Sequence, residues 1–305
     1  MPATPGTSHP GSGGEGYPPI RLSDYPTLRE QPVADAAVPR MELVEWAERY
    51  GVVAGISTRG RGFSLGLWSE ENVGQVMTRW RAFRAAVHPA FPGVVLSHQI
   101  HGTALQWHRQ GQDGWLILDG VDGHATSARG LLLTVTVADC VPIYLVAPEK
   151  RVVALLHAGW RGTAAGILER GVELVKRSGF VRAADIVMHC GVGICGSCYE
   201  VGSEVLERLT PGRRPGVNQV EDGLGSPGQR PGVSGAGGPS GKVDLRQVLV
   251  RQARELGITE VSVSPWCSAH DREQFFSHRA SGGRDGRMIA YAGLPVTGAS
   301  SPGRA

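Results

Sequence analysis

The patterning of this chain predicts a single α/β domain with a mixed β-sheet and flanking helices. Three observations carry that expectation. Short runs rich in Val, Leu and aromatic residues recur along the chain, punctuated by Gly, Pro and Asp, as strands are. Stretches with apolar residues at helical spacing lie among them. At 305 residues and 41% hydrophobic content, the chain has apolar surface enough for a full core.

The first stretch, MPATPGTSHPGSGGEGYPP, has no basic and apolar regions of a secretory signal and no Arg-rich transit character. Residues 1–38 are therefore expected to form a disordered tail, followed by an ordered domain over 39–296 and a short disordered tail over 297–305. Val73, Val76, Met77, Trp80, Phe83 and Val87 recur near helical spacing, with Arg79 and Arg81 off the apolar stripe. GVVLS, ALQWH, GWLIL, LLLTVTVA, PIYLVA and VVALLH then read as strands. Residues 164–176 predict a second helix with Ala165, Leu168, Val172 and Val175 on one face. A short helix over 200–209 and an amphipathic one over 244–256 flank a Gly/Pro-rich stretch at 211–241. That stretch has too few apolar residues to offset the entropy of ordering it, and reads as a flexible insertion within the domain. DIVMHCG, VSVSP and GRMIAYAG complete the sheet system.

Several function classes are disfavoured. No run approaches the roughly 18 apolar residues that cross a bilayer, since LLLTVTVADCVPIYLVA is broken by Asp139 and Pro142. Neither a membrane nor a nucleic acid is an expected partner: net charge is only +3 and the basic residues are scattered. No GxGxxG follows a strand and no P-loop is present. Five cysteines form no even secreted framework, which fits a reducing cytoplasm.

Three residues stand out, because each ends an apolar, strand-like run: His101 in LSHQIHG, Cys140 in LLLTVTVADCVP and His157 in VVALLHAGWRG. Two imidazoles and a thiolate suit zinc or copper, and three protein ligands leave a position for water or substrate. Spacing alone also allows a strand-edge His, a buried Cys and a helix-capping His. In HAGWRG, the start of a following helix with Arg161 could cradle phosphate, or could be only a tight turn. A turn at VADCVP would bring Asp139 beside Cys140, where a carboxylate can move a proton; a strand-terminating Asp is the alternative. Arg59 and Arg279 are isolated cations that could meet phosphate, or form an ion pair and an aromatic contact respectively. His98 would face away from His101 in a strand and stays outside the set. His189, Cys190, Cys195 and Cys198 supply rival ligand types, but only one CxxC is present and no second CxxC or HxxxH follows.

The chain resembles the laccase-domain family, also called the YfiH or polyphenol oxidase family. The likeness is carried by STRG (57–60), HQIHG, VDGHAT, TVADCVP, HAGWRGTAAGILERGV, CGVGICGSCYEVG, VDLRQ, FFSHR and GRMIA, in that order. FFSHR departs from the family's usual FFSYR at His278, and FSLGLWSEENVG matches loosely. The resemblance implies a YfiH-like fold, with His101, Cys140 and His157 as metal ligands and the cysteines of CGVGICGSCYEVG outside the ligand set. It implies a purine nucleoside phosphorylase acting on adenosine and inosine, and on S-methyl-5′-thioadenosine, with phosphate. Products would be free base and ribose 1-phosphate, and adenosine deamination accompanies this. Asp139 and Arg161 would be catalytic, with Arg59, Arg161 and Arg279 binding substrate phosphate, Zn2+ or Cu2+ bound, and a monomer or homodimer as the assembly. Alternatives are a copper polyphenol oxidase, a hydrolase with Cys140 as nucleophile and His157 as base, and a non-enzymatic metal-binding module.

Overall fold

The structure is a computed structural model that describes residues 21–34, 38–210 and 240–298. From the N-terminus the chain forms β1 (Gln31–Pro32), β2 (Arg40–Glu42), α1 (Val44–Tyr50), β3 (Val53–Ser57), α2 (Val73–Val87), β4 (Gly93–His98), β5 (Leu105–His108), β6 (Gly114–Asp119), β7 (Gly123–Thr126) and β8 (Leu131–Val137). It continues with β9 (Val141–Ala147), β10 (Val152–Ala158), α3 (Trp160–Ala164), α4 (Ile167–Gly179), β11 (Val187–Cys190), β12 (Glu200–Gly202), α5 (Ser203–Leu209), β13 (Ser240–Lys242), α6 (Leu245–Glu255), β14 (Glu260–Val263) and β15 (Met288–Gly293).

The α/β class with flanking helices holds, but the strands make two large mixed sheets packed face to face. One runs β1-β2-β3-β15-β8-β4-β6 and the other β14-β11-β9-β10-β7-β5, with β12 and β13 as a separate ribbon. The continuous apolar runs follow from this layering, because the central strands are covered on both faces. Along β9, Ile143 and Leu145 face the helices while Tyr144 and Val146 face the other sheet. In β10, Ala154 and Leu156 alternate with Val153 and Leu155 in the same way. This is the two-residue period of a strand. Tyr144 also donates its hydroxyl to the Gly55 carbonyl at 2.8 Å, tying β9 to β3 across the sandwich. Helices α4 and α6 cover the second sheet, and α2 covers the outer face of the first.

Helix α2 begins at Asn72, whose side chain accepts from the Gln75 amide at 3.2 Å. It buries Val76, Trp80, Phe83 and Val87, while Val73, expected on the stripe, is 61% exposed in the first turn. The helix expected over 164–176 is two: Gly166 adopts φ +83°, ending α3 and starting α4, which then buries Leu168, Val172 and Val175. Ala165 is exposed at that break. The expected N-terminal tail is corrected over residues 21–34, where Tyr25 and Glu30 are buried and Thr27 bridges to Val263. The rest of the expected insertion, 211–239, lies outside the described residues, as do 1–20 and 299–305; Ser240 and Gly241 pair with β12. No described helix is long and apolar enough to cross a membrane.

Candidate metal centre and active site

Strands β8, β4 and β6 lie side by side and parallel, so their C-terminal ends share one rim of the sandwich. From each of them the chain crosses to the second sheet. These three crossings carry His101 (β4 to β5), Asp122 (β6 to β7) and Cys140 (β8 to β9). Strand β10 runs antiparallel to both β7 and β9, so it ends at the same rim and delivers His157 in its last turn of pleat. Open α/β sheets place ligands at such strand ends.

The crossing loops are shaped to bring these groups together. His101 has φ +60° and Asp139 φ +88°, unusual values for residues with a Cβ. At His101 the conformation is held by buried Asp122, whose carboxylate accepts from the amides of Ile100 (3.3 Å), His101 (3.0 Å) and Gly102 (2.8 Å). The ligand atoms of His101, Cys140 and His157 all lie within 4.8 Å of one another, and the two imidazole centroids are 4.8 Å apart. Gly159 makes this approach possible, since a Cβ there would sit 3.0 Å from His101 Cδ2 and 3.1 Å from Cys140 Sγ. His157 is buried, Cys140 half-buried and His101 exposed, so the triad opens to solvent on one side. Two imidazole nitrogens and one thiolate sulfur fit a single zinc or copper ion with an open position.

Without a metal the electrostatics favour a Cys140 thiolate paired with a protonated His157, so a metal binding here would displace the His157 Nε2 proton. Burial pushes the Cys140 thiol up, but His157 and a hydrogen bond from His101 outweigh it and bring the thiol down to about 6. Burial pulls His157 down, yet Cys140 and Asp122 raise it to about 9. Burial works against the Asp122 carboxylate too, but His157 and the backbone amides hold it below its ordinary range.

Asp139 lies at the expected turn beside Cys140. Its Oδ1 accepts from Ser268 Oγ and Ser277 Oγ, both at 2.7 Å, and its Oδ2 from the Arg279 amide at 2.6 Å. Three of about four acceptor positions are thus committed to the β14–β15 loop. Arg161 starts α3 and stacks on Trp160 at 4.5 Å, and Arg279 stacks on Tyr199 at 5.0 Å instead of on Phe275 or Phe276. Both are exposed. Arg59 is engaged otherwise: it pairs with Asp285 at 3.0 Å and lies over Phe276. His98 pairs with Asp119 at 2.8 Å and is not among the clustered ligand atoms.

Two further residues at this centre lie outside the set that the sequence marks. Asp122 organises the centre and is visible in the sequence only as part of VDGHAT. Tyr199, in CYEVG, is partly buried among the site's charges: burial raises its phenol to about 12, Cys140 and Asp139 add to this, and Arg279 and Arg161 oppose it. His278 accepts from Arg287 at Nδ1, 3.2 Å, so a neutral ring carries its proton on Nε2; burial, Arg287 and Arg279 keep it below 6.5. The rival set of His189, Cys190, Cys195 and Cys198 does not come together as one cluster. His189 binds Glu30 and Ser262, and Cys190 is buried in the core. Cys195 and Cys198 instead meet Cys267 and His270, a CxxH within CSAHD that spacing against the CxxC does not reveal.

Comparison with known proteins places this arrangement. Residues 49–295 match the family described as multi-copper polyphenol oxidoreductase laccase. Purine nucleoside phosphorylase YlmD of Geobacillus stearothermophilus is 34% identical over 261 residues, covering 80% of this chain and 90% of that protein. Adenosine deaminase RL5, from an unknown prokaryotic organism, is 34% identical over 172 residues, covering 56% of this chain and 62% of that protein. The crystal structure of YlmD from Geobacillus stearothermophilus superposes with a TM-score of 0.71 at 29% identity, covering 88% of this chain and 99% of that one. With four-fifths of its length matched and the same fold, the chain belongs to the multi-copper polyphenol oxidoreductase laccase family.

Proposed function

We propose that this protein is a metal-dependent purine nucleoside phosphorylase that also deaminates adenosine. Substrates would be adenosine and inosine, with S-methyl-5′-thioadenosine as a further one, and products the free base and ribose 1-phosphate. The observation that carries the reading is the His101–Cys140–His157 triad together with two exposed guanidinium groups, Arg161 and Arg279, which act with Cys140 on the same Tyr199 phenol. The names of the phosphorylase and deaminase relatives support the same pair of reactions. A zinc ion held by the triad would supply a Lewis acid at an open position, and copper suits the same donors.

The chain's own residues supply the rest. Arg161 and Arg279 bind phosphate and aim an oxygen at the anomeric carbon as its bond to the purine breaks. The electron pair of that bond leaves on the base, which takes up a proton. His278, with its Nε2 proton, and the remaining acceptor position on Asp139 Oδ2 are the groups assigned to proton movement. Ile100, 59% exposed beside His101, offers apolar surface to the purine. Arg59 is assigned to support: Asp285, its partner, also accepts from the Ser277 amide at 3.2 Å, which braces the loop bearing Arg279.

The thiolate-like Cys140 beside a raised His157 also favours a second reading, a cysteine nucleophile with a histidine partner. Iodoacetamide separates the two: zinc that blocks alkylation of Cys140 while supporting turnover makes the thiol a ligand. Oxygen reduction on several coppers would need adjoining imidazole clusters, whereas the described triad and the Cys195 group share no residue.

The deciding experiment measures base release from inosine against phosphate concentration, with adenosine deamination assayed on the same preparations. Arg161→Ala and Arg279→Ala should each raise the apparent KM for phosphate about tenfold, as loss of a charge-assisted contact does, and change deamination little. Metal-loaded protein that releases no base in the presence of phosphate would sink the reading.

A further inference from the structure

Outside the active centre, four metal-ligating side chains converge: Cys195, Cys198, Cys267 and His270, with ligand atoms all within 4.8 Å of one another. Two come from the loop after β11 and two from the loop after β14, so each loop contributes a pair with two residues between its members. Tetrahedral sulfur ligands about 2.3 Å from zinc lie roughly 3.8 Å apart, so little closure is needed. His270 already lies between the two thiols, 3.5 Å from Cys195 Sγ through Nδ1 and 3.2 Å from Cys198 Sγ through Nε2.

The arrangement is built by the fold around it. Asp244, the N-cap of α6, accepts from the Gly196 amide at 3.0 Å, inside the first pair's turn. Its partner Arg246 donates to the carbonyls of Ser264 (3.1 Å) and Trp266 (3.0 Å), just before the second pair. Both are buried and ion-paired at 2.8 Å, so one ion pair positions both loops. The Cys195 amide donates to Cys267 Sγ at 3.3 Å, the kind of bond that supports a ligating thiolate. Cys267 is further fixed by its backbone N–H, which donates to Asp271 Oδ2 at 2.9 Å.

We propose that these four residues form a second, structural zinc site, a closed three-thiolate, one-imidazole tetrahedron with no position for substrate. It staples the Gly-rich loop to the β14–β15 loop. Tyr199 follows Cys198 directly, and Ser268 follows Cys267 and holds Asp139, so the staple positions active-site groups without touching substrate. The site is independent of the catalytic reading, because it shares no residue with the triad.

The test uses the full-length chain with the triad disabled as His101→Ala/His157→Ala. That protein, purified with zinc, should retain about one equivalent of metal, as a closed site does, and unfold at lower temperature once a strong chelator strips it. Adding Cys198→Ser or Cys267→Ser should abolish the bound zinc. Should those variants fail to fold, cobalt(II) titration of the triad-disabled protein gives the answer by itself. Strong thiolate-to-cobalt charge transfer with tetrahedral ligand-field bands, saturating near one equivalent, supports the site. Absence of that spectrum, zinc retained by folded Cys267→Ser protein, or a Cys195–Cys198 disulfide in freshly isolated protein would overturn it.

Discussion

Asp122 and His157 are joined twice, through Nδ1 of the ring to Oδ1 of the carboxylate at 2.9 Å and through the His157 amide to the Asp122 carbonyl at 2.8 Å. With Nδ1–H donating to the carboxylate, Nε2 is the nitrogen that presents a lone pair to a metal once its own proton is displaced. The same carboxylate receives the three amides around His101, so one buried acid sets the orientation of two of the three ligands.

Replacing that acid with its amide, Asp122→Asn, keeps the volume but removes the charge and half the accepting capacity. Metal affinity should fall about 10- to 100-fold, the usual loss when a supporting carboxylate is removed. Competition with a graded series of chelators measures it; affinity within twofold of the wild type would show that Asp122 is only a loop anchor.

At Gly159 the prediction is steric. A methyl group there meets His101 Cδ2 at 3.0 Å and Cys140 Sγ at 3.1 Å, and neither neighbour is a flexible chain end. Gly159→Ala should therefore fold, with far-ultraviolet circular dichroism unchanged, yet lose metal and activity together. Full metal occupancy in the purified variant would contradict the packing argument.

Tyr199 supplies the platform for Arg279. Removing the ring in Tyr199→Ala should raise the apparent KM for phosphate about two- to fivefold, the size of an exposed cation–π contact. Tyr199→Phe keeps the ring and should leave that KM near the wild-type value. If Phe and Ala behave alike, the hydroxyl and not the stacking carries the effect.

Beneath the centre, His124 joins Ser97 and His108 in a buried hydrogen-bonded chain, each contact 3.2 Å. Burial holds the His124 ring down to about 3, with His108 pushing the same way and Asp122 opposing. An unfolded chain binds a proton at this histidine below 6.5 that the folded chain refuses until about 3. Stability is therefore lost as pH falls through that window, by up to roughly 1.4 kcal/mol per pH unit for one such group, and is unaffected above it. Urea unfolding of a Cys140→Ala protein, with and without His124→Asn, between pH 7 and 4 reads this. The His124→Asn curve should be less stable at pH 7 but shallower towards acid; parallel curves would remove His124 as the source.

By itself the sequence determined the secondary elements whose burial is two-sided or strongly periodic: β8, β9, β10, α2 and α6 were legible because apolar spacing within a short window records which faces are covered. It also marked His101, Cys140 and His157, since each stands where an apolar run stops. Tertiary structure alone decided that the strands divide between two facing sheets, because the same apolar runs suit one sheet covered by helices or two sheets covering each other. It decided the strand at GHAT, too short and too weakly apolar to announce itself. It gave Asp122 its role through contacts with a loop about 20 residues before it and with strand β10 about 35 residues after it. And it brought the CxxC of Cys195 to the CxxH of Cys267, pairs some 70 residues apart in sequence that meet because β11 and β14 are parallel neighbours whose following loops leave from the same end.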